Sequence, residues 1–253
     1  MLSFQDKVVV ITGGAQGIGE CIADTFLSQG AIICVIDTHA IEQTKKYHYT
    51  YQGDIADQHT LKAFSQNVIE TFGHIDYLIN NACVMKGGLF NASYEEFLYV
   101  QHVGVIAPFM LSQHFEPHFR RHGAIINIAS TRAFQSQANT ECYSAAKGGI
   151  VALTHALAHS LRGKVRVNCI SPGWIDTTKG ASLTQNDHDQ HLVGRVGVPS
   201  DIADMVCFLC SQHASFITGE NIIVDGGMSK TMIYHNDEGW HYDAEKRHTP
   251  SHD

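Results

Sequence analysis

No stretch of this sequence is long and apolar enough to fill a bilayer, and no cluster of lysine and arginine marks a surface for a polyanion. A membrane span needs roughly 20 consecutive apolar residues, whereas the apolar runs here are short, the first being Val8–Ile11. Binding to nucleic acid or to anionic lipid requires clustered cations. Here 17 Lys and Arg stand scattered against 25 Asp and Glu, a formal charge of −8. Neither nucleic acid nor membrane is therefore an expected partner. The start also lacks a basic-then-apolar leader, so the chain is expected in the cytoplasm. Disulfide spacing is missing as well: the seven cysteines are odd in number, scattered and mostly set in apolar runs, as reduced thiols are. Cys207 and Cys210 have no second pair near them, which reads as core packing rather than zinc or redox chemistry.

Histidine, by contrast, is abundant: 17 residues make the charge sensitive to mild acid. His114, His118 and His122 recur every four residues, as do His155 and His159, so each set shares a face if its segment is helical. The first set has no carboxylate partner, and no metal site is expected.

Short apolar runs alternate with longer segments of helical period. The strand candidates are Val8–Ile11, Ala31–Ile36, Tyr47–Tyr51, Tyr77–Ile79, Ala124–Ile128, Val165–Ile170 and Asn221–Val224. Helical patterns cover about 17–29, 58–72, 94–119, 142–162 and 200–211, each long enough for a right-handed crossover. This alternation predicts an α/β fold, a doubly wound parallel sheet of seven strands with helices on both faces. Thr38–Lys46 is short for a crossover helix. Residues 1–228 read as a single catalytic domain. From Ser229 the chain turns polar and His-containing, with Tyr234, Trp240 and Tyr242, so 229–253 reads as a partly flexible appendage.

Directly after the first strand comes Thr12-Gly-Gly-Ala-Gln-Gly-Ile-Gly19, followed by a helix. Backbone N–H groups and a helix N-terminus then face whatever anion sits in the turn, which makes Gly13, Gln16, Gly17, Ile18 and Gly19 candidate cofactor-binding residues. At the end of the second strand stands Asp37. A carboxylate there accepts hydrogen bonds from both ribose hydroxyls of an adenosine and repels a 2′-phosphate. Gln16 and Thr38 are neutral, so neither offers a 2′-phosphate a cation. NAD is the expected cofactor.

Tyr143 and Lys147 are four apart in a helical pattern, which brings an ammonium near a phenol. An ordinary tyrosine titrates near pH 10, so using its phenolate near neutrality costs about 4 kcal/mol. One cation about 5 Å away supplies roughly 3 kcal/mol at an effective dielectric of about 20. Ser130 lies thirteen residues upstream, with a hydroxyl able to steady a substrate oxygen while Tyr143 exchanges the proton.

From Lys7 to Gly227 the chain resembles the short-chain dehydrogenase/reductase family. The resemblance rests on the Thr12–Gly19 turn, Asp54-Ile55, Asn80-Asn-Ala82, Ser130, Tyr143-x-x-x-Lys147, and Ser171-Pro-Gly173 with Thr177. It implies a Rossmann-like domain with NAD(P) at the C-terminal edge of the sheet, and Ser130, Tyr143 and Lys147 as catalytic residues. It further implies that Asp54 and Ile55 border the adenine, that Asn81 and Ala82 line the cofactor ribose, and that Ile175 and Thr177 touch the carboxamide. Tyr143 and Lys147 would also contact the cofactor, and Asn80 would hold the central strand. A homotetramer is implied too, built from the helices at about 94–119 and 142–162 and the last strand; Trp240 and Tyr242 then suggest that the appendage reaches a neighbouring subunit.

Two positions depart from the family pattern. Aligning on Val103-Gly-Val-Ile-Ala-Pro-Phe109 puts Gly104 where the family usually has an Asn that shapes a helix bend and a proton path. Either that path is altered, or Gly104 permits close approach to a partner subunit. Cys83 replaces the usual Gly after Asn-Asn-Ala and reads as a pocket wall. Specificity is expected from Val84–Leu89, Ala133–Asn139, Trp174 and a lid over Thr178–Val193. The chemistry implied is NAD-dependent interconversion of a small-molecule alcohol and ketone. The competing reading, favoured by Gly104 alone, is a noncatalytic NAD-binding sensor.

Overall fold

A computed structural model of the protein describes residues 3–42, 44–178 and 182–243. Seven parallel strands form one sheet: β1 Val8–Thr12, β2 Ile32–Asp37, β3 Tyr49–Gln52, β4 Ile75–Asn80, β5 Phe119–Ile128, β6 Val165–Pro172 and β7 Asn221–Val224. Their order is β3-β2-β1-β4-β5-β6-β7. The order reverses between β1 and β4, and a doubly wound sheet opens its ligand crevice there. Every residue of β1 and β4 is buried, because helices cover both faces and a strand without a wet side carries no polar alternation.

The helices are α1 Gly17–Ser28, α2 Gln58–Phe72, α3 Tyr94–Gln101, α4 Ala107–Phe115, α5 Glu141–Ser160, α6 Gln185–Asp189 and α7 Pro199–Cys210. One layer packs Ile22 and Phe26 of α1 and Val206 and Leu209 of α7 under Val9, Ile11 and Ile33. The other layer packs Phe64 of α2 and Leu111 and Phe115 of α4 over Val10, Ile36 and Leu78. Local chemistry sets several ends. Asp57 accepts the His59 and Thr60 N–H groups at the start of α2, which stops at Gly73 with φ 74°, and Ser93 and Glu96 form a reciprocal cap on α3. No helix among the described residues is long and apolar enough to cross a membrane.

The segment expected to be one helix over 94–119 is four pieces. Following α3, residues His102–Ile106 form a π-helical turn, with Ala107 N–H reaching back to the His102 carbonyl; α4 then ends at Phe115 and a 3₁₀ turn spans Glu116–His118. Pro117 has no N–H to extend the helix, and β5 begins at Phe119, five residues ahead of the apolar run. His122 therefore lies in a strand, at φ 69°, and does not share a helix face with His114. His155 and His159 do share an exposed face of α5. Among the described residues no group of three or more His, Cys, Asp or Glu could hold a metal ion.

His114 is half-buried in a groove between α2 and the end of α4, its Nδ1 3.0 Å from the Ser65 hydroxyl. Burial is the main cause that pushes its titration below the ordinary 6.5; the Lys62 ammonium adds to this, against a hydrogen bond to the Leu61 carbonyl. The unfolded chain therefore takes up this proton first as pH falls. Its contribution is complete above pH 6.5 and drains away below that value until the folded-state titration is passed. Chemical denaturation between pH 7.5 and 5 should show a smaller loss of stability for His114→Gln than for the parent; equal slopes would refute the assignment.

The cysteine expectation holds for the core pair. Both thiols are buried, as core packing expects, and burial pushes Cys207 up to about 12 and raises Cys210 as well. Cys83 is exposed.

The segment after β7 closes on itself. Asn236 N–H donates to the Trp240 carbonyl at 2.8 Å, Tyr242 N–H donates to His235 Nδ1 at 2.9 Å, and the Trp240 and Tyr242 rings stand 6.1 Å apart. Residues 244–253 of the expected appendage lie outside the described residues.

Candidate functional site

The C-terminal ends of β1, β4 and β5 converge at the crevice. Thr12 ends β1, and its hydroxyl accepts from both Asn81 N and Ala82 N at 3.1 Å. The Asn81 side-chain amide donates to the carbonyls of Thr12 and Gly13 at 3.1 and 2.8 Å. The turn after β4 thus locks the glycine turn after β1. Gly13 and Gly17 have φ of 68° and 60°, in the region that favours glycine. A Cβ at Gly13 would stand 2.8 Å from the Ala82 Cα, and one at Gly19 would run into the Gly13 carbonyl. Gln16 enters α1 without a side-chain cap, so the first N–H groups of the helix are not met by its side chain.

Asp37 is buried, with one oxygen accepting Ala15 N–H and the other His39 N–H, each at 2.9 Å. Its Oδ1 also lies 3.2 Å from His39 Nδ1, a neighbour that sequence reasoning missed. On the far wall, a Cβ at Gly17 would come 3.3 Å from the Thr177 Cγ2, so the loop after β6 stands over the glycine turn. Ile175 in that loop bridges to Gly197. Asp54, after β3, accepts from Tyr99 Oη and Ala56 N at 2.9 Å, and Ile55 beside it is buried. The cradle of backbone N–H groups, left-handed glycines and a buried carboxylate fits a dinucleotide. Asn80, expected to hold the central strand, donates to Asn127 Oδ1 at 2.8 Å, and Asn127 in turn donates to Thr154.

Tyr143 and Lys147 lie on the first two turns of α5, as their spacing predicts. The Lys147 ammonium is buried, 5.4 Å from the Tyr143 ring centroid, and donates to the Ile128 carbonyl at 2.7 Å. Ser130 follows two residues after Ile128, and its hydroxyl accepts Arg132 N–H at 3.2 Å. Glu141, two residues before Tyr143, accepts Leu89 N–H at 2.9 Å, which ties α5 to the 84–89 loop. That bond is the first cause holding its carboxyl below the usual range.

Gly104 sits within the π-helical turn, and a Cβ there would stand 2.8 Å from the Ala146 Cβ. Gly104 makes room for α5 of the same chain, beside Lys147. The bend at this position is present without an Asn. Gly104→Ala should lower stability by about 1 kcal/mol, because the overpacking of about 1–3 kcal/mol exceeds the roughly 1 kcal/mol gained in helix propensity. Ala146→Gly should cost less in the Gly104→Ala background than in the parent, read by thermal unfolding of all four proteins; a more stable Gly104→Ala single variant would contradict this packing.

The described part of the expected lid includes α6, capped by Thr184 and Asp187. His191 is buried, 6.2 Å from the Trp174 ring, and Val193 N–H donates to the Gly226 carbonyl. Residues 179–181 of the lid lie outside the described residues.

Known proteins resemble this chain along most of its length. A family model described as Enoyl-(Acyl carrier protein) reductase matches residues 13–229. An uncharacterized oxidoreductase of Thermotoga maritima is 44% identical over 252 residues, covering 91% of this chain and 98% of the relative. The chain belongs to the short-chain dehydrogenase/reductase family. A solved apo SCOR enzyme of Clostridium thermocellum is 49% identical, with a TM-score of 0.88 over 94% of this chain and 98% of that one. A meso-2,3-butanediol dehydrogenase of Serratia marcescens is 32% identical over 89% of this chain and 96% of its own length. This short-chain dehydrogenase/reductase has the Rossmann-like α/β fold of its relatives, and the family comprises oxidoreductases of alcohol and carbonyl groups that bind a nicotinamide cofactor.

Proposed function

We propose that the protein is an NAD-dependent oxidoreductase, with residues 1–228 as its catalytic domain, interconverting a secondary alcohol and a ketone with Tyr143 as acid/base. The observation that carries the reading is the buried Lys147 ammonium, fixed to the Ile128 carbonyl and 5.4 Å from the Tyr143 ring, two residues from the Ser130 turn. A bound nicotinamide coenzyme supplies the hydride acceptor or donor. Ser130 Oγ holds the substrate oxygen. Tyr143 Oη takes the proton in the oxidative direction and returns it in the reductive one. Lys147 stabilises negative charge as it develops on the phenol oxygen. Gly13, Gln16, Gly17, Ile18 and Gly19 cradle the cofactor phosphates, Asp54 and Ile55 border its adenine, and Asn81, Ala82, Ile175 and Thr177 line its remaining length.

Asp37 supports NAD over NADP, because its buried carboxylate is oriented by two N–H groups and would repel a 2′-phosphate. The butanediol dehydrogenase relative supports an alcohol substrate. Phe97, Ile106 and Phe109 expose apolar surface along α3, the π-helical turn and α4, which supports a homotetramer built on these helices. Gly104 is the one feature that favours a noncatalytic sensor, and Ser130, Tyr143 and Lys147 stand against it.

The test is turnover of a panel of secondary alcohols and ketones with NAD and with NADP, for the parent and Asp37→Ala. The parent should prefer NAD by at least about tenfold. The variant should lose about 10–100-fold of that preference, the worth of one hydrogen bond to a charged group. Preference for NADP in the parent would overturn the cofactor assignment, and NAD binding without turnover of any substrate would restore the sensor.

A further inference from the structure

The turn that carries Ser130 also carries a cation for which the proposed mechanism has no use. Arg132 is half-buried in the 3₁₀ turn Thr131–Ala133, which packs against α5. Its main-chain N–H donates to the Ser130 hydroxyl at 3.2 Å, so the residue sits beside the proposed reaction centre. Its Nη2 donates to Gln137 Oε1, in the 133–139 loop. Its Nη1 is closed off from water and has no acceptor. Among the described residues Arg132 has no carboxylate within ion-pairing distance. The acid closest in sequence is Glu141, whose Oε2 is held by Leu89 N–H.

A guanidinium carries five N–H donors in a rigid fork, and one with no counter-charge and with its Nη1 unmatched by any acceptor among the described residues is unfavourable. A carboxylate matches the fork with two parallel hydrogen bonds. A neutral alcohol matches neither the charge nor the geometry. The Gln137 amide adds two further N–H groups beside the fork.

We infer that Arg132 binds a carboxylate of the substrate, making the substrate a hydroxy acid in the oxidative direction and an oxo acid in the reductive one. This rests on the oxidoreductase reading above and names its substrate class. The carboxylate keeps all its bonds; Arg132 holds it while the carbinol carbon, a few atoms away, faces Ser130 and Tyr143. Arg132 is a specificity residue and takes no part in the proton transfer.

The probes are acetoacetate and 2-oxobutanoate, two oxo acids with the carboxylate at different distances, each paired with its methyl ester. The parent, Arg132→Ala and Arg132→Lys are assayed with NADH, and acid binding to the NADH-loaded protein is measured by calorimetry. At least one acid should exceed its ester in kcat/KM by tenfold or more in the parent. Arg132→Ala should lose at least thirtyfold on that acid and no more than threefold on the ester, with Arg132→Lys in between. Acid binding should weaken in the same order. An acid-to-ester ratio unmoved by Arg132→Ala, or calorimetric binding equal in parent and variant or absent from both, overturns the inference. Turnover of esters with no preference for acids sinks the carboxylate assignment and spares the oxidoreductase. Acid binding that depends on Arg132, without turnover of any probe, spares the anion site and counts against the oxidoreductase.

Discussion

Tyr143→Phe is expected to lower kcat by about 10³-fold, within the range of about 10²–10⁴ that a positioned general acid–base contributes. Binding of the nicotinamide coenzyme and thermal stability should stay close to those of the parent. The separation follows from geometry. Tyr143 Oη makes no hydrogen bond among the described residues, so deleting the hydroxyl leaves no internal partner unsatisfied, and the ring that packs near Lys147 is kept. Single-turnover and steady-state kinetics with any accepted alcohol would read the loss, and fluorescence titration would read cofactor binding. A variant retaining more than a tenth of parental kcat would remove Tyr143 from the proton-transfer step.

Lys147→Met is expected to cost about 10²-fold in kcat. The ammonium stands 5.4 Å from the phenol ring centroid, and at an effective dielectric of about 20 that is roughly 3 kcal/mol of stabilisation for negative charge there. Stability should change little, because two opposing effects are similar in size. The Ile128 carbonyl loses its 2.7 Å donor, at a cost of about 1–3 kcal/mol. Against that, an apolar chain of similar length removes the cost of keeping an ammonium away from water. The measurements are kcat with saturating alcohol and the midpoint of thermal unfolding. A folded variant with undiminished kcat would show that charge at Lys147 does not assist the reaction.

Much of this arrangement is legible along the chain because its determinants are local. Val8–Ile11 is wholly apolar, as a strand with helices on both faces tends to be. The glycine turn is written in residues whose backbone requires them, Gly13 and Gly17 with positive φ and Gly19 with no room for a side chain. Tyr143 and Lys147 meet because four residues make about one turn of α5. The errors have physical causes too. Hydrophobic period does not register one extra residue in a turn, so the π-helical turn at His102–Ile106 and the break at Pro117 were hidden within a single pattern. Arg132 left a weak signal, a cation two residues after Ser130. That its Nη1 meets no acceptor among the described residues becomes visible only in the folded chain.

By itself, then, the sequence determined the strand and helix alternation, the phosphate-type turn, the acid at the end of β2 and the Tyr143/Lys147 spacing, all encoded over a few residues. Tertiary structure alone decided that Lys147 is anchored on the Ile128 carbonyl, that Asn81 locks the glycine turn, that Gly104 makes room against Ala146, and that Arg132 has no counter-charge among the described residues. These are contacts between segments far apart in the chain. Their geometry is set by the register of parallel strands and the packing of helices on them, which no local propensity specifies.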